Sequence, residues 1–246
     1  MTLTGSILRI DDLTDPDIRI MYELMQIYYD NVAWDDFNRD LRSKSRVILL
    51  RSAGVIKGFS TQLLYDRVID GRAVSILFSG DTIISRDYWR SFALPVTWVR
   101  MMRTIKSQNP DRPLYWFLIS KGHRTYRFLP TFFKRYFPGV EDGASDFEIR
   151  LLARLACEKF GDSFDPATFI VAAADGSQRL RDEMCDISDD RIKNKHVAFF
   201  LERNPGYVYG DELACIAEFC ESNLTPFILR RTDELIDTGG PIGHAC

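Results

Sequence analysis

β-branched and apolar residues fill both parities of Val74 to Phe78 and again of Thr82 to Ile84, the pattern of a strand buried on both faces of a sheet. Ser79-Gly80-Asp81 breaks that run. A glycine inside a strand marks a bulge or the close approach of a ligand or a second backbone, and here a carboxylate stands beside it. The chain then passes through the polar Ser85-Arg86-Asp87 into a helix predicted from about Tyr88 to Ile105, with Phe92, Val96, Val99 and Met102 near one face. A bent strand that feeds a helix start offers strand-edge N–H and C=O groups to an extended ligand and helix N–H groups to an anion.

Before this stretch, residues 14–30 predict a helix capped by Thr14 or Asp15, with Pro16 in its first turn and Ile20, Leu24, Ile27 and Tyr28 on one face. The 17 residues at the N-terminus are polar and acidic. A short helix is expected over Trp34 to Ser43, a strand over Arg46 to Arg51, a tight turn at Ala53-Gly54 and a hairpin partner from Val55 to Tyr65. After it, Pro113 to Ser120 reads as a buried strand, and Lys121-Gly122-His123 turns into a helix carrying Tyr126, Leu129, Phe132, Phe133 and Tyr136. An amphipathic helix (Ser145 to Phe160), a strand (Ala167 to Ala173), mostly helical residues 177–203 and a closing strand (Asp211 to Phe219) follow. The alternation from 74 to 137 supports an α/β mixed sheet.

A chain of 246 residues with 46% hydrophobic content can bury one sizeable core, and a single domain is expected: a core over 1–140, helical insertions and closing strands over 141–237, and a flexible tail from Thr238 to Cys246. A net charge of −3 gives no general attraction for nucleic acid or anionic lipid. No run approaches a membrane span and no leader segment is visible, so a cytoplasmic location is expected. The five cysteines, Cys157, Cys185, Cys215, Cys220 and Cys246, lack C-x-x-C spacing. The first four are expected as buried reduced thiols and no His/Cys/Asp cluster has metal spacing.

The segment from Val74 to Met102 resembles the donor-binding strand and helix of the GNAT (GCN5-related N-acyltransferase) superfamily. Arg90-Ser91-Phe92-Ala93-Leu94-Pro95 stands where that family has Gln/Arg-x-x-Gly-x-Gly/Ala. Arg90 fits, whereas Ala93 and Pro95 replace the two small residues, so the resemblance is to a divergent member with an altered phosphate loop. The hairpin V-I-L-L-R-S-A-G-V-I-K-G-F-S is similar to the family's second and third strands, and Pro113 to Tyr136 to its fifth strand and fourth helix. The resemblance implies a GNAT-like fold and transfer of an acyl group from acyl-CoA, or from an acyl carrier protein, to a small-molecule or peptide amine by direct attack. It places the donor along Ile83, Ile84 and Ser85 and over Arg90, Ser91, Phe92 and Ala93. A catalytically inactive GNAT-like module that binds an acyl chain or a protein partner is the alternative.

Such a transfer needs a base for the amine, a polarised thioester and a proton for the thiolate. Asp81, beside the bulge, is a candidate base, against a plain turn acid. His123, at a strand-to-helix junction, is the rival base, against a surface or capping histidine. Tyr126, three residues on, is a displaced candidate acid because Phe133 occupies the place where many members have a tyrosine; its bland reading is core packing. Lys121, Arg124, Arg127, Lys134 and Arg135 form a basic run, either a solvated face or a surface for a carrier's phosphate or an acidic carrier protein. Tyr115, Trp116, Phe117, Phe128, Phe132, Phe133 and Phe137 are expected as core, with a channel for a long acyl chain as the alternative.

Overall fold

In the computed structural model, which describes residues 2–141 and 143–236, a strand precedes everything anticipated: β1 (Thr4–Arg9) pairs antiparallel with β3 (Arg46–Ser52). Its short, mostly exposed alternation carries little apolar signal. Helix α1 (Asp15–Tyr28) follows, and Thr14 and Asp17 cap each other's backbone at its start. It buries Ile18, Met21, Leu24, Met25 and Tyr28 and leaves Ile27 exposed, a rotation of the expected face. Then come β2 (Tyr29–Asp30), α2 (Trp34–Arg42) and β3. Ala53 and Gly54, both at positive φ, turn into β4 (Val55–Ile69), and Asp70-Gly71 turns in the same way into β5 (Arg72–Ile84).

The helix expected from Tyr88 begins later. Arg86–Tyr88 is a 3-10 turn, and α3 runs Ala93–Gln108. Strand β6 (Leu114–Ser120) is followed by two short helices, α4 (His123–Tyr126) and α5 (Phe128–Phe132), rather than one. Pro130, which has no N–H to give, lies in the second. The remainder comprises α6 (Asp146–Phe160), β7 (Phe164–Asp165), β8 (Ile170–Val171), β9 (Arg179–Leu180), α7 (Asp182–Cys185), α8 (Asp189–Ile192), α9 (Lys195–Arg203), β10 (Glu212–Glu218) and α10 (Pro226–Ile236). The strand expected over Ala167 to Ala173 is thus two residues long. The tail expected over 238–246, with Cys246, lies outside the described residues.

One eight-stranded sheet, ordered β1-β3-β4-β5-β6-β10-β8-β7, spans the chain. Its neighbours are antiparallel except β5 and β6, which α3 joins as a parallel pair. This arrangement is mixed α/β, in the element order that the sequence resemblance implied. Among the described residues no helix is long and apolar enough to cross a membrane.

The site is made by the way β5 and β6 part. They pair from Ser75/Leu114 to Ser79/Leu118 and no further. Beyond that rung β5 stays with β4, as far as Gly58/Ile84, and β6 stays with β10, as far as Ser120/Leu213. The split coincides with a bulge: Ser60 pairs with Thr82 and Gln62 with Ser79, so Gly80 and Asp81 together face the single residue Thr61. A Cβ on Gly80 would stand 2.6 Å from Thr61 Oγ1 and 2.7 Å from Lys44 Cε, so a larger residue there would have to displace those side chains.

Candidate active site

The gap between β5 and β6 opens into a cleft of about 1790 Å³. Its walls are Thr82–Ile84 on β5, the Arg86–Phe92 connection, His123–Arg124 and Phe128 beyond β6, and Leu180 with Met184 from the C-terminal half. Six arginines line it (Arg86, Arg90, Arg124, Arg127, Arg191, Arg230) against three carboxylates (Asp87, Glu183, Asp186), so it is a positively charged cleft in an acidic chain.

Behind the gap, buried polar groups are linked without a break. Trp116 Nε1 donates to Ser79 Oγ (2.8 Å), Ser79 Oγ to Gln62 Oε1 (2.6 Å) and Gln62 Nε2 to Ser60 Oγ (2.8 Å), which meets Thr82 Oγ1 at 2.7 Å. A chain of satisfied buried groups is stiff, and this one fixes where the strands separate. Beside it lies a cavity of only about 20 Å³, lined by Ser79, Gly80, Thr82, Trp98, Trp116 and Leu118 among others. The aromatic residues close it. Trp98 lies 4.6 Å from Trp116 and 5.4 Å from Phe132, centroid to centroid, and Phe133 stands 5.8 Å from Trp116. They form core, not a long channel.

Of the expected donor strand, Ile83 turns its side chain into the core beneath α1, and the Ser85 N–H is bonded to the Lys57 carbonyl of β4 (2.7 Å). Alternation along the strand then turns the N–H groups of Thr82 and Ile84 toward the gap. The Ile84 carbonyl accepts from Trp89 Nε1 at 2.7 Å. Arg90 is exposed at the rim, and Ser91 and Phe92 line the wall. Ala93 does not: its N–H goes to Ser91 Oγ (3.2 Å), and its carbonyl accepts from Thr97 Oγ1 (2.7 Å). Pro95, third in α3, has no N–H, so the start of this helix is a poorer anion cradle than the resemblance implied, and arginines supply charge in its place.

Asp81 is half-buried on the bulge, among Tyr29, Asp40, Lys44, Lys121 and Glu212. The buried Lys44 pairs with Asp40, and Lys121 lies 3.6 Å from Glu212. Among the described residues Asp81 itself has no hydrogen bond. Burial, with Asp40 adding to it and Lys44 and Lys121 opposing, pushes its carboxyl up to about 7. His123 is 2% exposed on the cleft wall, and its Nε2 has no partner. Burial, then Arg124, Arg191 and Arg127, hold it down to about 4, so the ring is neutral at pH 7.

Tyr126 is a correction. It is 0% exposed, donates to the Pro138 carbonyl (3.0 Å) and packs between Tyr136, Phe199 and Phe200. Burial raises its hydroxyl far above the usual range, and it does not line the cleft. The basic run is not one face: Lys121 pairs with Glu212, Arg135 with Glu218, Lys134 caps the Ser222 carbonyl, and only Arg124 and Arg127 reach the cleft. Cys157 is exposed, Cys185 and Cys220 half-buried and Cys215 buried, so one thiol of four matches the expected burial.

Arg86, Trp89, Lys44, Arg191 and Glu212 were not singled out from the sequence. A lysine or glutamate in a polar stretch carries no local sign that a strand from elsewhere will bury it.

No family model matches the chain and no curated protein matches it. Among solved structures, Escherichia coli ElaA is similar at 16% identity over 59% of this chain and 94% of that one, with a TM-score of 0.39. An aminoglycoside acetyltransferase from an uncultured soil metagenomic sample, in complex with sisomicin, is similar at 12% identity over 47% of this chain and 76% of that one (TM-score 0.34). An Enterococcus faecalis protein described as a probable N-acyltransferase is similar at 11% identity over 89% of this chain and 66% of that one (TM-score 0.41). At this depth similarity carries neither substrate nor mechanism, and the functional reading rests on the geometry of this chain.

Proposed function

We propose that this chain is a GNAT-type N-acyltransferase that takes a short acyl group from coenzyme A and passes it to an amine by direct attack. The observation that carries the reading is the parting of β5 and β6 at Ser79/Leu118, where the bulge at Gly80-Asp81 adjoins Thr82, the first β5 residue of an arginine-lined cleft.

In this reading the pantetheine arm lies along the gap-facing edge of Thr82 and Ile84, and the donor's phosphates meet Arg90 and Arg230 with the start of α3. The thioester sits at the split, and its acyl group points toward the cavity of about 20 Å³ beside Trp116. A water needs on the order of 10–15 Å³ of such space, which suits an acetyl and no long chain. Asp81 takes the amine proton as the nitrogen attacks, and a carboxyl near 7 is matched to that task at neutral pH. The carbon–nitrogen bond forms as the carbon–sulfur bond breaks, and the leaving thiolate takes up a proton. With Tyr126 sealed in the core, solvent in the open cleft is the source of that proton. An acyl carrier protein as donor has no feature of its own in the cleft, and the binding-module alternative leaves the poised Asp81 unexplained.

The test is release of coenzyme A thiol from acetyl-CoA in the presence of an amine panel. Turnover lost in Asp81→Asn with donor binding intact supports the reading; no turnover of any amine, with coenzyme A unbound, sinks it.

A further inference from the structure

Several arginines elsewhere in this chain are neutralised on the spot, among them Arg51 by Asp17, Arg67 by Glu158, Arg103 by Glu221 and Arg150 by Asp70. Among the described residues the six that line the cleft are not, and three of them concern its second end. Arg86, Arg124 and Arg191 form no ion pair among the described residues, and Glu183 and Asp186, exposed on the same wall, pair with none of them. Arg86 and Arg124 lie over a single ring, that of Trp89, with guanidinium carbons 5.4 and 4.4 Å from its centroid. That shared ring holds the two like charges within about 10 Å of each other. Arg124 is further fixed by donating to the Met184 carbonyl (3.1 Å). Beside it the unpartnered Nε2 of His123 is buried on the cleft wall. Like charges gathered without a counter-ion and a buried polar atom without a partner are two separate costs, and one anionic ligand relieves both.

The cluster lies away from the phosphate end of the donor. Phe92 packs on Phe227 of α10 (5.5 Å), whereas Trp89 packs on Tyr28 of α1 (6.3 Å) and the Arg86 N–H donates to the Tyr28 hydroxyl (2.8 Å). Met184 adds α7 to the second end.

We propose that the acceptor amine carries an anionic group, a carboxylate or a phosphate, bound by Arg86, Arg124 and Arg191 with His123 as a neutral donor at its floor. This rests on the acyltransferase reading above. The same chemistry would also hold a phosphate of the donor, and the experiment separates the two sources.

Inorganic phosphate is titrated calorimetrically into the full chain, with and without saturating coenzyme A. Phosphate is expected to bind in both cases, and Arg124→Met or the exposed Arg191→Met to weaken it by roughly 10- to 100-fold while leaving coenzyme A affinity within about twofold. Exclusion of phosphate by coenzyme A, or parallel loss of coenzyme A affinity, assigns the arginines to the donor and overturns the proposal. In turnover with acetyl-CoA, glucosamine 6-phosphate and glycine are compared with glucosamine and glycinamide. The anionic member of each pair is expected to have a KM lower by about tenfold or more, an advantage that Arg191→Met removes. His123→Gln should raise that KM at constant kcat; a fall in kcat alone would make His123 the base and remove it from the anion site. Equal use of both members, with phosphate unbound, overturns the anion site. Phosphate bound alongside coenzyme A with no amine turned over overturns the acyl-transfer reading and leaves the anion site standing.

Discussion

Ser79 Oγ accepts from Trp116 Nε1 at 2.8 Å, and this bond ties β5 to β6 at the last rung before they separate. Ser79 passes the link on to Gln62 of β4, so three strands are held by side chains where backbone pairing between two of them ends.

Ser79→Ala leaves the Trp116 indole N–H and the Gln62 carbonyl oxygen buried without a partner. A loss of about 1–3 kcal/mol in urea unfolding is expected, with KM for the donor rising because the width of the gap is no longer fixed. A variant as stable as the parent would show that the hydroxyl is not what links the strands.

Asp81→Asn keeps shape and removes the proton acceptor, so kcat should fall by roughly 10²- to 10⁴-fold with donor affinity retained. The pH–rate profile of the parent should rise through a limb near 7, the value to which burial pushes Asp81. A limb near 4 would instead report His123.

Stability should carry the same two signatures with opposite sign. The Asp81 carboxyl is raised from 3.8 to about 7, so its protonated form favours folding below 3.8 and that contribution is lost as pH rises through 7. Asp81→Asn should therefore gain on the parent between pH 4 and 8, on the order of 1–3 kcal/mol at the upper end. His123 is lowered from 6.5 to about 4, so its contribution is present above 6.5 and lost as pH falls through 4. His123→Gln should gain on the parent in that acid window. Thermal melts of the three proteins across pH 4–8 decide both signs.

Arg90→Ala removes an exposed charge at the donor end. Coenzyme A affinity should drop by about tenfold, and the drop should shrink in high salt. Unaltered binding in calorimetry would reassign the phosphates to Arg230 and the remaining cleft arginines.

In the proposed reading a wall rather than a channel sets acyl length. The rate constant kcat/KM should fall steeply from acetyl- to octanoyl-CoA, and Ile119→Ala, at the half-buried edge of the small cavity, should extend the accepted chain. Octanoyl turnover equal to acetyl would mean that the Trp98–Trp116–Phe132 packing opens when the donor binds.

Periodicity made the fold readable where an element is long and apolar: α1, the β3–β4 hairpin, β5 and β6 stand within a few residues of where the pattern puts them. Where an element is short or half-exposed, as with β1, β8 and the divided helix after His123, too few apolar positions exist to set a period. The site divides in the same way. Asp81 and His123 stand out as candidates by unusual placement, a carboxylate in a strand and a histidine at a junction. Tyr126 has the right chemistry but a core address, and only packing against Phe199 and Phe200, some seventy residues on, reveals it. Arg86 and Arg191 become meaningful through what is missing around them, which no local window contains.

The Trp89 indole occupies the Ile84 carbonyl on the strand edge that the pantetheine arm would use, while its ring carries Arg86 and Arg124. Of the four tryptophans, Trp98 and Trp116 are sealed in the core and Trp34 sits on α2, so Trp89 alone stands at the cleft. The residue is a built-in optical probe. In the proposed reading, donor arrival would change its hydrogen bond and an arriving anion the charges above its ring, so one emission spectrum would read out both halves of the cleft, with Trp89→Phe as the blank.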